Sequence, residues 1–168
     1  IVRGQELNPT SNKVLKFCKQ FGMTLRFINR ESYREEKLRS GLEGEINHIA
    51  EGGAGELALK GCSDMLNELD QEFDRIVLDV GTGTTYAGVL QGVLDRNLST
   101  SVEGIVVLKN GMYLKDEINA QLNNGRTDQV KLHFDYHFGG FGKWDEQQED
   151  FNNRFTSETG LFVDPVYT

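Results

Sequence analysis

The sequence predicts an α/β fold with an open, mostly parallel sheet and helices on both of its faces. Two observations predict it. Apolar runs at 74–80 (DRIVLDV), 102–109 (VEGIVVLK) and 130–136 (VKLHFDY) alternate with segments of helical pattern at 84–96 and 113–122. Strands that alternate with helices are joined by crossovers, which bring successive strands into parallel register. The second observation is the turn Gly81-Thr82-Gly83-Thr84-Thr85, which closes the first apolar run and opens the helix after it.

The remaining elements follow from spacing. Ile1-Val2-Arg3 reads as a strand running into a loop. Residues 8–21 (NPTSNKVLKFCKQF) place Val14, Leu15, Phe17, Cys18 and Phe21 at three- and four-residue intervals, which predicts a helix with Pro9 in its first turn. Gly22 ends it, and MTLRFIN (23–29) alternates as a strand would. Residues 30–45 are charged and read as a surface segment, with Gly41–Gly44 as a seam between a smaller lobe (1–44) and a larger one (45–168). After the turn Glu51-Gly52-Gly53, apolar positions from Ala54 to Leu69 form a helical stripe. The acidic stretch 145–158 has helical composition, with Trp144, Phe151 and Phe155 expected to turn inward.

Bulk composition narrows the partners. The 168 residues carry 18 basic and 26 acidic side chains, a net charge of -8. That speaks against a nucleic-acid partner, which is held by Lys and Arg on phosphates. A single small phosphate held by backbone N–H groups stays open. Cys18 and Cys62 have no metal-ligand spacing and no disulfide framework, as expected in a reducing, cytoplasmic setting. No apolar run approaches the roughly 20 residues of a membrane span.

The glycine turn carries the chemistry. A strand, a turn with two glycines and a helix place several backbone N–H groups at a helix N-terminus. Those groups lack intrahelical acceptors, and the helix dipole adds partial positive charge. Glycine lets an anion approach the backbone closely, and the threonine hydroxyls add donors. Two common phosphate motifs fail. A dinucleotide fingerprint needs a third glycine, where Tyr86 stands, and no acidic residue ends the strand VEGIVVLK. A P-loop needs a Gly-Lys-Ser/Thr ending, and no lysine follows here. From spacing alone, a plain strand-to-helix turn with glycines for packing remains open beside the phosphate reading.

GTGTTYAGVLQG (81–92) resembles the G-T-G-G-T-x-A-G-L-x-x-G loop of pyridoxal 5'-phosphate enzymes with the tryptophan synthase β-like fold. The resemblance is to the branch holding 1-aminocyclopropane-1-carboxylate deaminase and D-cysteine desulfhydrase. IVRGQE, FGMTLRFINRESYR, EGGAGELALKG, HFGGFGK and DPVYT resemble further motifs of that branch, in the same order, from Arg3 to Thr168. The resemblance implies that Gly81, Thr82, Gly83, Thr84 and Thr85 cradle the cofactor's phosphate in the larger lobe. It implies that Tyr167 is catalytic, facing cofactor and substrate, with Thr168 and Phe141 in the substrate pocket. Thr84 replaces the usual third loop glycine. Thr168 stands where the 1-aminocyclopropane-1-carboxylate deaminases have Glu, and Phe141 stands where a second tyrosine is usual.

The family's Schiff-base lysine lies in an upstream S-G-N-K segment that these residues do not contain. The expectation is therefore the interior of a chain roughly twice as long, inactive by itself. Ser11-Asn12-Lys13 imitates that motif, but in a helix where lysine is far more often solvated. His133, Asp135 and His137 would share one face of an unbroken strand and could be metal ligands, but a polar strand face is the simpler reading, and no metal site is expected. The resemblance implies a pyridoxal-phosphate-dependent deaminase or lyase of the D-cysteine desulfhydrase type. It would act on a small amino acid and form a homodimer. The alternative is a non-catalytic member that binds a phosphate-containing ligand or a protein partner.

Overall fold

In the computed structural model, residues 1–39, 49–122, 127–143 and 145–164 are described. The seam Gly41–Gly44, Trp144, and the pair Tyr167–Thr168 lie outside them. The chain divides into two units, Ile1–Glu51 and Gly52–Thr168.

In the first unit, β1 (Val2–Arg3) pairs in parallel with β2 (Phe27–Ile28). The predicted strand 23–29 is thus reduced to two residues. α1 (Lys13–Gln20) begins later than its apolar spacing suggested. Asn8 Oδ1 accepts from the Thr10 N–H at 2.9 Å, and Ser11 Oγ accepts from the Asn8 N–H at 2.8 Å. These local bonds hold residues 8–11 in a turn that competes with helix. Asn12 then caps α1, accepting from the Leu15 N–H at 2.9 Å. Lys13 is exposed, as its helical setting predicted. The charged surface segment forms a second helix, α2 (Arg30–Arg39). Asn29 Oδ1 accepts from the Ser32 N–H in its first turn at 2.8 Å, and Arg26 pairs with Glu36.

The second unit holds a parallel three-stranded sheet in the order β3-β4-β5: β3 is Arg75–Val80, β4 Ser101–Val106 and β5 Lys131–His133. Val80 stands beside Val106, and Gly104 beside Leu132. Alternation along the strands gives the sheet two unlike faces. Ile76, Leu78, Val80, Val102, Val106 and Leu132 enter the core. The other face carries Arg75, Val77, Asp79, Glu103 and Ile105.

α4 (Thr84–Asp95) is the centre of the core and is buried from Tyr86 to Val93. It packs on the sheet, on α3 (Glu56–Asp64) and on α5 (Leu114–Gln121). A Cβ at Gly88 would lie 2.5 Å from Cys62 Cβ, so the glycine admits α3 at close range. The predicted stripe on α3 is only partly used. Leu66 of the stripe joins the core, as does Leu59, which lies off the stripe; a change to 3-10 geometry at Met65–Glu68 turns Met65 and Leu69 outward, and Leu57 is 85% exposed. α6 (Glu146–Thr159) starts at Asp145, whose carboxylate accepts from the Gln148 N–H at 3.0 Å. Phe151 does not turn inward: it is exposed and stacks on half-buried Phe155 instead.

Candidate functional site: a glycine turn at the carboxyl end of β3

β3 ends in the core at Val80, and the chain reverses through Gly81, Thr82 and Gly83 into α4. Gly83 caps the helix at φ 87°, a conformation that L side chains rarely adopt. A Cβ there would also lie 2.7 Å from Ile118 Cγ1, so α5 closes the turn from behind. Gly52 closes it from another side. Gly52 (φ 70°) rests on Thr82, and a Cβ on it would fall 2.1 Å from Thr82 Oγ1.

A cavity of about 340 Å³ lies at this junction. The five turn residues Gly81 to Thr85 line it together, joined by Gly52, Asp79 and Tyr86. The first N–H groups of α4 have no acceptor within the helix. Thr84 is 4% exposed, and its hydroxyl oxygen is buried with no hydrogen-bond partner. Leaving a buried hydroxyl unpaired costs about 1–3 kcal/mol. A small anion in the cavity would supply the missing acceptor, so the residues present fit a terminal phosphate.

The opposite face of the sheet has its own cavity, about 250 Å³, beyond the carboxyl ends of β3 and β4. Val77, Ile105 and Val107 form its floor, and Tyr136, His137, Phe138, Gly140, Gly142 and Lys143, with Gln148 of α6, form its wall; Phe141 does not line it. The His137 ring nitrogen Nδ1 accepts from the Gly139 N–H at 3.0 Å, and the Lys143 N–H donates to Gly140 O at 2.9 Å, folding this segment back on itself. Phe141 stands on it, 54% exposed. Asp79 lines both cavities. Partial desolvation pushes its carboxyl above the ordinary value, its own backbone N–H opposes that, and Asp164 adds to it.

The three-residue metal reading fails among the described residues, where no such cluster occurs. β5 stops at His133, so the alternation that would align His133, Asp135 and His137 does not continue. His133 Nε2 instead meets Glu103 Oε2 at 3.0 Å, and Arg75 Nε meets Glu103 Oε1 at 3.1 Å. The His133 contact, ahead of the nearby cations, holds the Glu103 carboxyl below its ordinary value. Two contributors to the cradle escaped the sequence reading. One is Gly52, which the sequence shows only as part of a turn. The other is Asp79, which the sequence shows as one more strand residue.

No protein-family model matches the chain. A solved structure described as an ACC deaminase homologue superposes with a TM-score of 0.68 over 92% of this chain and 53% of its own, at 23% identity. This chain therefore shares the α/β fold, with parallel sheets and helices, of about half of that structure. Among curated proteins, one from Pyrococcus horikoshii, provisionally named a 1-aminocyclopropane-1-carboxylate deaminase, is 27% identical over 148 residues. That match covers 82% of this chain and 45% of the relative. A protein of the same name from Pyrococcus furiosus is 24% identical, with 94% and 48% covered. The mitochondrial bifunctional D-cysteine desulfhydrase/1-aminocyclopropane-1-carboxylate deaminase of Arabidopsis thaliana is 25% identical, with 88% and 42% covered. These relatives are named as 1-aminocyclopropane-1-carboxylate deaminases or as a D-cysteine desulfhydrase, and this chain, similar to them, spans about half their length. No helix among the described residues is long and apolar enough to cross a membrane.

Proposed function

We propose that this chain is the phosphate-holding part of a pyridoxal-phosphate-dependent deaminase or lyase that acts on a small amino acid, with D-cysteine desulfhydrase-like elimination as its reaction. The observation that carries the reading is the buried, unpartnered Thr84 hydroxyl inside a glycine turn at a helix N-terminus. Gly81, Thr82, Gly83, Thr84 and Thr85 would hold the phosphate monoester through backbone N–H groups and hydroxyls. Bound there, the cofactor supplies an electron sink beside the substrate's α-carbon. The protein's part is to fix that ring in place and to exclude water from it.

On the substrate side, Tyr167 is the residue proposed to move a proton. Thr168, lacking the carboxylate of the ring-opening members, favours elimination that releases a keto acid, ammonia and sulfide over opening of a cyclopropane. Phe141, assigned to the substrate pocket by the resemblance, would bring no hydroxyl to it. No lysine in residues 1–168 matches the Schiff-base position, so this segment alone binds the phosphate without turnover. A homodimer in the cytoplasm is the assembly and setting that go with the reading.

The test uses the parent protein with added pyridoxal phosphate, followed by absorbance and by sulfide release from D-cysteine. Bound-cofactor absorbance with sulfide release is the expected result. Absence of bound-cofactor absorbance overturns the proposal. A second reading, a non-catalytic phosphate binder, is favoured by Phe141 in place of tyrosine. Cofactor binding without turnover on any small amino acid would select it.

A further inference from the structure

Tyr86 follows the cradle directly and has no solvent exposure. Its side chain crosses the core to the far strands. Its hydroxyl oxygen accepts from the Lys131 N–H at 2.9 Å. Its proton serves Val102 O at 3.1 Å or Lys131 O at 3.2 Å. Burial pushes the phenol above its ordinary value, so it keeps that proton at neutral pH. The ring lies against β4 at Gly104, where an added Cβ would fall 2.9 Å from Tyr86 Cδ2 and closer still to Val80 and Leu132. One side chain thus ties the first turn of α4 to β4 and to the start of β5.

We propose that Tyr86 is a positioning residue of the phosphate cradle: by bonding to Lys131 and Val102 it fixes the tilt of the first turn of α4, and hence where the N–H groups of Gly81–Thr85 point. The inference rests on the cradle reading above. A helix N-terminus binds an anion well only when its N–H groups converge, because hydrogen bonds weaken steeply with misalignment. Van der Waals packing on Gly104 sets how closely the ring lies on β4. The hydroxyl bonds restrain rotation about that contact.

The test is a titration of the full 168-residue chain with inorganic phosphate, followed by amide NMR of Gly81–Thr85 and Lys131. It is repeated on Tyr86→Phe and on Val93→Ala, a core truncation at the other end of α4. Expected are phosphate-dependent shifts at the cradle in the wild type, with the Lys131 amide moving in step. Tyr86→Phe should lose about fivefold or more in affinity, the scale of a lost aligned hydrogen bond, and Val93→Ala should bind as the wild type does. Equal affinity in Tyr86→Phe and wild type overturns the inference while leaving the cradle intact. An equal loss in Val93→Ala overturns it too, since the effect is then general stability. If Tyr86→Phe does not fold, the wild-type Lys131 amide decides: a still amide overturns the coupling. No shift at Gly81–Thr85 in the wild type instead overturns the cradle reading itself.

Discussion

Gly52 and Thr82 stand so close that a methyl group on Gly52 would fall 2.1 Å from the Thr82 hydroxyl oxygen. Gly52 also sits at φ 70°, where an L side chain is strained. Gly52→Ala is therefore expected to displace Thr82 and open the cradle. Stability should fall by about 1–2 kcal/mol, and phosphate affinity by about tenfold if one aligned contact is lost. Gly53 provides the control: its φ is 69°, but a Cβ there meets nothing within 4 Å. Gly53→Ala should show the strain in thermal unfolding and leave phosphate binding unchanged.

The unpartnered hydroxyl of Thr84 predicts opposite effects on folding and on binding. Thr84→Val keeps the shape and removes a buried polar group that has no partner. Replacing such a group by an apolar one is neutral or stabilising, here by up to about 1 kcal/mol. Phosphate affinity should drop about fivefold, since a donor in the cradle is lost. Denaturant midpoints and a phosphate titration read the two effects separately. Weaker stability with unchanged binding would contradict the role given to this hydroxyl.

Asp79 is expected to work against an anion in the same cavity. Asp79 is exposed on β3, but partial desolvation of its carboxyl raises its folded value, so the ionised form is mildly disfavoured in the folded chain. The sign follows from linkage. The folded state holds the proton more tightly than the unfolded one, so stability declines as pH rises from the ordinary value near 3.8 through the raised one. Asp79→Asn should be more stable than the wild type at neutral pH and bind phosphate more tightly. The stability difference should close once both states of the wild type are protonated. Urea titrations over a pH series check this.

Glu103 has the opposite sign. Its carboxyl is held below the ordinary value near 4.5, chiefly by the His133 contact and with help from Arg75. Its contribution is present above that value and is lost as pH falls through the lowered one. Glu103→Gln should flatten the acid limb of a stability-against-pH curve and leave phosphate binding unaffected, since Glu103 is not among the residues lining the cradle. An unchanged acid limb would show that the His133–Glu103–Arg75 cluster has no energetic weight.

The run β3–turn–α4 was legible because each part carries its own local signal: alternation along the strand, glycines at the turn, apolar spacing along the helix. α2 was not legible as a helix, since its charged residues Arg30 to Arg39 carry no apolar stripe and the helix signal rests on one. The start of α1 was misplaced because Asn8 and Ser11 bond to nearby backbone, which apolar periodicity does not register. The histidine face failed because β5 ends at His133, a boundary set by pairing with β4. At the candidate site, the turn Gly81–Thr85 is visible in the sequence and the walls of the cavity it lines are not. Gly52, Ile118 and Gly104 act through contacts between distant segments, which only packing creates. Tyr167 and Thr168 stay at the level of the resemblance.

Tyr86 and Gly104 together also bear on how such chains are recognised. In a dinucleotide fold the residue that lets the phosphate-bearing helix lie close to its sheet is a glycine on the helix. Here the glycine is on the strand, and the bulk is on the helix. The space needed between the two is the same, and either partner can yield it. A side chain at 104 would also have to displace Val80 and Leu132, so the strand glycine serves the sheet's packing as well as the tyrosine's. A pattern that scores the helix position alone counts a substitution as a loss when the vacancy has only moved across the interface.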